Sequence, residues 1–197
     1  ALTTEAFDLL WEASGLREGR DQLFDLFRTE KSGENLRRHC SAFQEKLRRA
    51  ALSPEVSESL FAAFRKLKSP VAVRSSATAE DAEASAFAGV FHSVLRVSEE
   101  GLLGAVQTCW AEAYDYTAIT HALRKNIDPA GIRFALLVQE MVEADRSGVL
   151  FTQDPSGADP ESALLSVTSG VGDALLQGEV EGEEFRLNRA RPKTDDP

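Results

Sequence analysis

The 197 residues carry 32 acidic against 22 basic side chains, a formal net charge of −10, with 43% hydrophobic and 27% charged residues. This is an ordinary globular composition, long enough for one large domain or for two small lobes sharing a cleft. The acidic balance excludes a nucleic-acid or anionic-membrane surface, which needs a basic face, and any polyanionic ligand would need local positive charge or a divalent cation.

Residues 1–68 read as helical. Leu23, Phe24, Leu26 and Phe27 form a short apolar helix stripe, and Leu36 to Leu47 forms another, with Lys31-Ser32-Gly33 between them. Ser53-Pro54-Glu55 is a helix start: a hydroxyl at the cap, proline at the first helical position, an acid in the first turn. Val56, Leu60, Phe64 and Leu67 then recur on one face. Trp11 is expected in the core.

From Pro70 the texture changes to strands. Val71 to Arg74 is a β-branched run ending in arginine, an acidic loop of small residues follows, and Phe87 to Val97 returns as a second strand. The pattern predicts a hairpin with a long tip and Arg74 at a strand end. A guanidinium there offers several fixed donors to phosphate oxygens, and small neighbours allow close approach. The plainer alternative pairs Arg74 with Glu80 or Asp81 in its own loop. Ser98-Glu99-Glu100 is expected to start one long helix with Leu102, Val106, Trp110, Ala113 and Thr117 on one face, ended by a turn at Asp128-Pro129. Phe134 to Val142 reads as a buried strand with Gly148 to Thr152 as its partner. Ala163 to Val167 is another strand, and Phe185 to Leu187 the last edge strand. Lys193 to Pro197 reads as a tail.

Cys40 and Cys109 fall in unrelated segments and are expected as buried free thiols, with no disulfide framework or zinc site. The sequence has no 18-residue apolar run and no charged-then-apolar leader, so a cytoplasmic location is expected.

Four blocks carry a resemblance: VAVRSSATAED, SAFAG, CWAEAY and LLVQEMVEADRSGVLFTQDP, in order over Val71 to Pro155. Together they are similar to the ATP-binding domain of the phosphoenolpyruvate synthase and pyruvate phosphate dikinase family, which also includes dikinases acting on rifampicin-type drugs or glucans. Weaker similarity continues to about Arg189, and ALTTEAF resembles the segment that follows the family's first nucleotide-binding loop. The resemblance implies an α+β, ATP-grasp-like fold, with a helical first third followed by mixed or antiparallel sheet lobes and one long helix. The implied organisation is a helical subdomain over 1–69 and a nucleotide-binding region over 70–192, divided at 130/131, with 193–197 as tail.

It also implies roles. Arg74 would hold the terminal phosphates and act catalytically, and Ser93, where relatives carry threonine, would bond a phosphate or orient the loop. Gln139, Glu140, Met141 and Val142 would fix adenine through backbone groups at a strand end, with methionine filling the face of the base. From the residues alone this segment is a core strand. Thr168 to Asp173 is similar to the family's Trp-Gly-Leu-Gly-Glu segment, with Ser169 for Trp and Asp173 for Glu. Gly170 and Gly172 would let backbone amides approach phosphate or ribose. Phe151 to Pro155 matches the family's FT-x-DP, where Thr152 and Asp154 are expected to shape a turn.

Val90, Phe91 and His92 replace polar residues common in relatives. His92 is not expected to be the nucleophile, because the family's phosphorylated histidine lies on a separate swivelling domain. His121 reads as a helix-terminal histidine and His39 as solvated. No acid-x-acid strand precedes Asn188-Arg189-Ala190-Arg191-Pro192, so its likeness to the family's Gln-x-Arg strand is read as coincidence. The chain is thus read as an incomplete fragment that follows a Gly-rich, lysine-bearing loop.

The implied cofactors are ATP and Mg2+, with the metal ligands mostly outside this chain. The implied partners are the nucleotide and the phosphohistidine domain of the parent, with neither nucleic acid nor membrane. The implied function is the nucleotide-binding portion of a dikinase that phosphorylates a histidine on that mobile domain on the way to pyruvate, the fragment itself having little turnover. The alternatives are another acceptor or a degenerate, non-catalytic binding or regulatory domain.

Overall fold

The computed structural model describes residues 1–78, 93–155, 157, 161–188 and 191–194. Two compact units divide the chain, Ala1–Met141 and Val142 onward. Its architecture is α+β, with a three-stranded and a four-stranded antiparallel sheet.

The first unit opens with four helices: α1 (Thr4–Ser14), α2 (Arg17–Thr29), α3 (Gly33–Arg48) and α4 (Pro54–Phe64). Ser32 and Ser53 cap α3 and α4, accepting from the backbone N–H of Asn35 and Val56. Phe7, Leu10 and Trp11 of α1, Leu36, Cys40, Phe43 and Leu47 of α3, and Val56, Leu60 and Phe64 of α4 are all buried at helical spacing. All of these but Leu36 pack with Val71, Val73, Val97, Leu136 and α5 (Leu102–Glu112) into one core. Trp11 is its aromatic centre, edge-on to Phe7 at 5.2 Å and to Tyr114 at 5.6 Å. Cys40 and Cys109 are buried free thiols, as expected.

The expected single long helix is two. α5 ends at Glu112 and α6 (Tyr116–Arg124) begins again, because the Asp115 side chain accepts from the Thr117 N–H at 2.7 Å and caps a new start. Thr117 is consequently exposed, and α6 buries Ala118, Ile119 and Ala122 instead. Ser98 is not the cap of α5. Its hydroxyl donates to the Glu100 carboxylate, and Gly101 occupies the cap position.

The first sheet has the order β2-β1-β3, with β1 (Val71–Ala77) central, β2 (Ser93–Val97) on one side and β3 (Phe134–Glu140) on the other. The hairpin expectation holds: β1 and β2 pair antiparallel.

In the second unit, β4 (Arg146–Phe151), β5 (Ser162–Ser169), β6 (Glu183–Asn188) and β7 (Arg191–Thr194) follow in sheet order, with the short α7 (Asp173–Leu176) between β5 and β6. The expected pairing of Phe134–Val142 with Gly148–Thr152 is therefore incorrect. β4 pairs with β5 from Arg146↔Ser169 to Phe151↔Leu164, and β3 takes β1 as its partner. The segment 142–145 leaves one sheet and enters another rather than reversing a strand on itself. Nor is β6 the edge, because β7 pairs alongside it and takes up Lys193 and Thr194. No helix among the described residues is long and apolar enough to cross a membrane.

Candidate functional site

Arg74 is the fourth of seven residues in the central strand, not its last. Ser75, Ser76 and Ala77 continue the ladder opposite Leu136, Ala135 and Phe134. With β3 alongside those positions, what reads as the start of a loop propagates as sheet. Directly opposite Arg74 stand Ser93 of β2 and Leu137 of β3. Residues facing each other across a ladder project to the same side, so these three side chains share one face. Strand alternation adds Ala72 and Ser76 of β1 and Ala135 and Gln139 of β3. The opposite face carries Val71, Val73, Phe134 and Leu136 into the core.

Arg74, Ser93, Leu137 and Gln139 are all exposed. Among the described residues Arg74 makes no ion pair. Glu80 and Asp81, its alternative partners, lie outside the described residues, as do Val90, Phe91 and His92.

Ser93 owes its place to a bulge. Val71 pairs with Val97 but Val73 with Val94, so β2 spends one residue more than β1 over this stretch. Arg96 supplies the irregularity in the left-handed region, at φ 56°. Were all of β2 paired one for one from Val97 with no bulge, Val94 would face Arg74 and Ser93 would turn into the core.

On β3, Leu136 exchanges both backbone hydrogen bonds with Leu2, at 2.8 and 2.9 Å. Alternation turns the N–H and C=O groups of Val138 and Glu140 to that same outer edge, where no backbone partner meets them among the described residues. Met141 turns back, donating its N–H to Pro70 O at 3.2 Å, while its sulfur lies 3.2 Å from the Arg96 nitrogen. The Glu140 side chain projects from the core side of the sheet, away from Arg74, and accepts from the Lys68 N–H at 2.8 Å. In the four-residue segment expected to meet a base, then, Gln139 shares the Arg74 face, Glu140 offers free backbone, and Met141 braces the bulge. Val142 belongs to the second unit and is 78% exposed.

Gly170 and Gly172 also belong to the second unit. Gly170 has φ 75° and donates its N–H to Asp145 O at 2.8 Å, so glycine answers a backbone requirement there. A Cβ on Gly172 would lie 3.0 Å from the Ser147 Cβ, so its smallness serves packing against β4. Ser169 ends β5 opposite Arg146, and Asp173 opens α7. Asp154 is buried. Its N–H donates to Ser162 O at 2.9 Å and its carboxylate is 3.6 Å from Arg186, so the FT-x-DP segment does shape a turn.

His121 sits in the last turn of α6. His39 is half-buried rather than solvated, its Nδ1 2.8 Å from Asn35 O. Among the described residues no group of three or more His, Cys, Asp or Glu is arranged to hold a metal. Burial pushes the Cys40 thiol up to about 12 and that of Cys109 up to about 11.

Sequence reasoning missed Leu137 and the Arg96 bulge. Leu136-Leu137-Val138 is an unbroken apolar run, so its phase is invisible until the ladder with β1 sets it.

Residues 1–196 match the family model described as pyruvate phosphate dikinase, AMP/ATP-binding domain. The chain is 32% identical over 142 residues to an uncharacterized phosphotransferase of Bacillus subtilis, covering 70% of this chain and 17% of the relative. It is 38% identical over 117 residues to a rifampicin phosphotransferase of Streptomyces sviceus, covering 59% and 14%. A probable phosphoenolpyruvate synthase of Methanothermobacter thermautotrophicus is 36% identical over 124 residues, covering 62% and 18%. The chain thus spans less than one fifth of the length of these relatives. It belongs to the AMP/ATP-binding domain family of pyruvate phosphate dikinase.

Proposed function

We propose that this chain is the nucleotide-binding portion of a dikinase that uses Mg-ATP to phosphorylate a histidine on a separate mobile domain, with pyruvate as the final acceptor. The observation that carries the reading is the register placing Arg74 and Ser93 on one exposed face with Gln139. The residues fit a nucleotide. An exposed guanidinium without an ion pair among the described residues suits phosphate oxygens, and the small, exposed Ser76 beside it leaves room for approach. The N–H and C=O groups of Glu140, which meet no backbone partner among the described residues, match the polar edge of a purine.

Phosphoryl transfer asks the protein mainly for positioning and charge neutralisation. Arg74 holds the terminal phosphates and stabilises charge that builds there, in a chain whose net −10 otherwise repels them. Ser93 donates its hydroxyl to a phosphate oxygen. The backbone of 139–142 fixes the base. Bound Mg-ATP supplies the phosphoryl group and the metal's charge. Named relatives include both a rifampicin phosphotransferase and a probable phosphoenolpyruvate synthase at similar identity, so a drug acceptor is the competing assignment. A binding domain without turnover is the second reading, favoured by Ser169 and Asp173.

The test is Arg74→Ala in the full-length protein, measured as ATP-dependent, acid-labile phosphorylation. The variant should lose it while remaining folded. Activity within about tenfold of the parent, roughly 1.4 kcal/mol of barrier, would make Arg74 structural. A folded, unsubstituted protein that binds ATP but never becomes phosphorylated would favour the second reading.

A further inference from the structure

We propose that Leu137 is the apolar contact on which the nucleoside part of the ligand rests, so that it selects a nucleotide over a bare polyphosphate. This depends on the reading of the Arg74 face as the nucleotide site. Leu137 stands opposite Arg74 in the β1–β3 ladder. The alternation that turns Leu136 toward Leu2 makes 74 and 137 a hydrogen-bonded pair, with Cα atoms about 5.5 Å apart. Leu137 is 45% exposed, whereas Leu136 and Phe134, of opposite phase on the same strand, are 1% and 3% exposed.

A single open leucine on a protein surface is ordinary. This one adjoins an arginine without an ion pair among the described residues, and Gln139 lies about 7 Å farther along the same face. Hydrocarbon bordered by a few convergent polar groups is the composition of a ligand site. The arginine side chain is the longer of the two, so its head group can rise beyond the leucine methyls. An anion can then meet the guanidinium above the sheet while an apolar body lies over Leu137. Ala135, the small residue diagonal to Arg74, leaves room beside the pair, while Ala72, 5% exposed, marks where the open face ends. Phosphate alone needs only the first contact; a nucleotide uses both.

The experiment compares equilibrium binding of ADP and inorganic tripolyphosphate to the full-length protein, with tryptophan fluorescence confirming the fold. Leu137→Thr keeps a strand-compatible side chain and removes most of the hydrocarbon. It should weaken ADP about tenfold, equivalent to about 1.4 kcal/mol, and leave tripolyphosphate affinity unchanged. Leu137→Met should bind ADP like the parent, and Arg74→Ala should weaken both ligands. Unchanged ADP affinity in Leu137→Thr, with Arg74→Ala still weakening both, would overturn the role of Leu137 and leave the site standing. Equal weakening of both ligands by Leu137→Thr would make the residue structural and overturn it as well. Normal binding of both ligands by Arg74→Ala would remove the site itself.

Discussion

The bulge at Arg96 can be tested by asking whether its backbone, rather than its side chain, sets the position of Ser93. A non-glycine residue held at φ 56° carries a penalty of about 1–2 kcal/mol relative to ordinary backbone. Asparagine tolerates this region better, so Arg96→Asn should stabilise the first unit by about 0.5 kcal/mol. Arg96→Val, β-branched at the same φ, should destabilise it by about 1 kcal/mol or more. Deleting residue 96 removes the extra position and leaves a one-for-one ladder, with Leu95 opposite Ala72, Val94 still opposite Val73 and Ser93 still opposite Arg74. Val94, packed against the core, and the exposed Ser93 would therefore keep their faces, whereas straightening the bulge with residue 96 retained would turn Val94 outward and the Ser93 hydroxyl inward. Such a flip would lose part of a valine's burial, about 1 kcal/mol, and bury an unsatisfied hydroxyl, about 1–3 kcal/mol; the deletion avoids both and should leave stability within about 1 kcal/mol of the parent. Urea unfolding followed by tryptophan fluorescence isolates this unit, because both tryptophans of the chain, Trp11 and Trp110, lie in its core. Arg96→Val matching Arg96→Asn in stability, or a deletion costing about 3 kcal/mol or more, would refute the claim that residue 96 is the extra residue that sets the phase of β2.

Three further outcomes are expected. Glu140→Ala removes the carboxylate that accepts from the Lys68 N–H; it should raise the Kd for ADP about threefold, and Glu140→Gln, which keeps an acceptor, should restore it. Equal affinities in the two variants would deny the side chain a positioning role. Glu112→Ala strips partners from Arg48, at 2.6 Å, and from buried Gln44, and should lower the unfolding free energy by about 2 kcal/mol in urea titration; a loss below about 0.5 kcal/mol would show that water replaces the carboxylate freely. The buried thiols predict a falling stability at alkaline pH. Their pKa values are raised in the folded state, from an ordinary 9.0 to about 12 for Cys40 and about 11 for Cys109. The unfolded chain therefore loses these protons first. The contribution is intact below pH 9 and declines by about 1.4 kcal/mol per pH unit per thiol above it, ending near 12 and 11. Cys40→Ala with Cys109→Ala should flatten this slope; an unchanged slope would assign it to other groups.

The helical first third was legible because capping and periodicity are local. Ser53-Pro54 announces α4, and the stripe from Val56 to Phe64 needs no distant partner to be recognised. Where the same local logic was applied past Trp110, it ran two helices together, since Asp115 reads equally well as a solvated helix residue or as a cap. The motif around Arg74 was visible as a cation among small residues, but its place within the strand was not. Ser75 to Ala77 become sheet only because β3 runs alongside them.

Residue types, apolar periodicity and the motif blocks determined by themselves that this chain is an α+β domain with helices first, and which residues are candidates for a nucleotide. Tertiary structure alone decided which strands are neighbours, that Ser93 and Leu137 stand beside Arg74, and that the Glu140 side chain turns away from it. The reason is that a strand's two faces are interchangeable in an uninterrupted apolar run. Only pairing with another strand, and here one left-handed residue at 96, assigns each side chain to the core or to the open face.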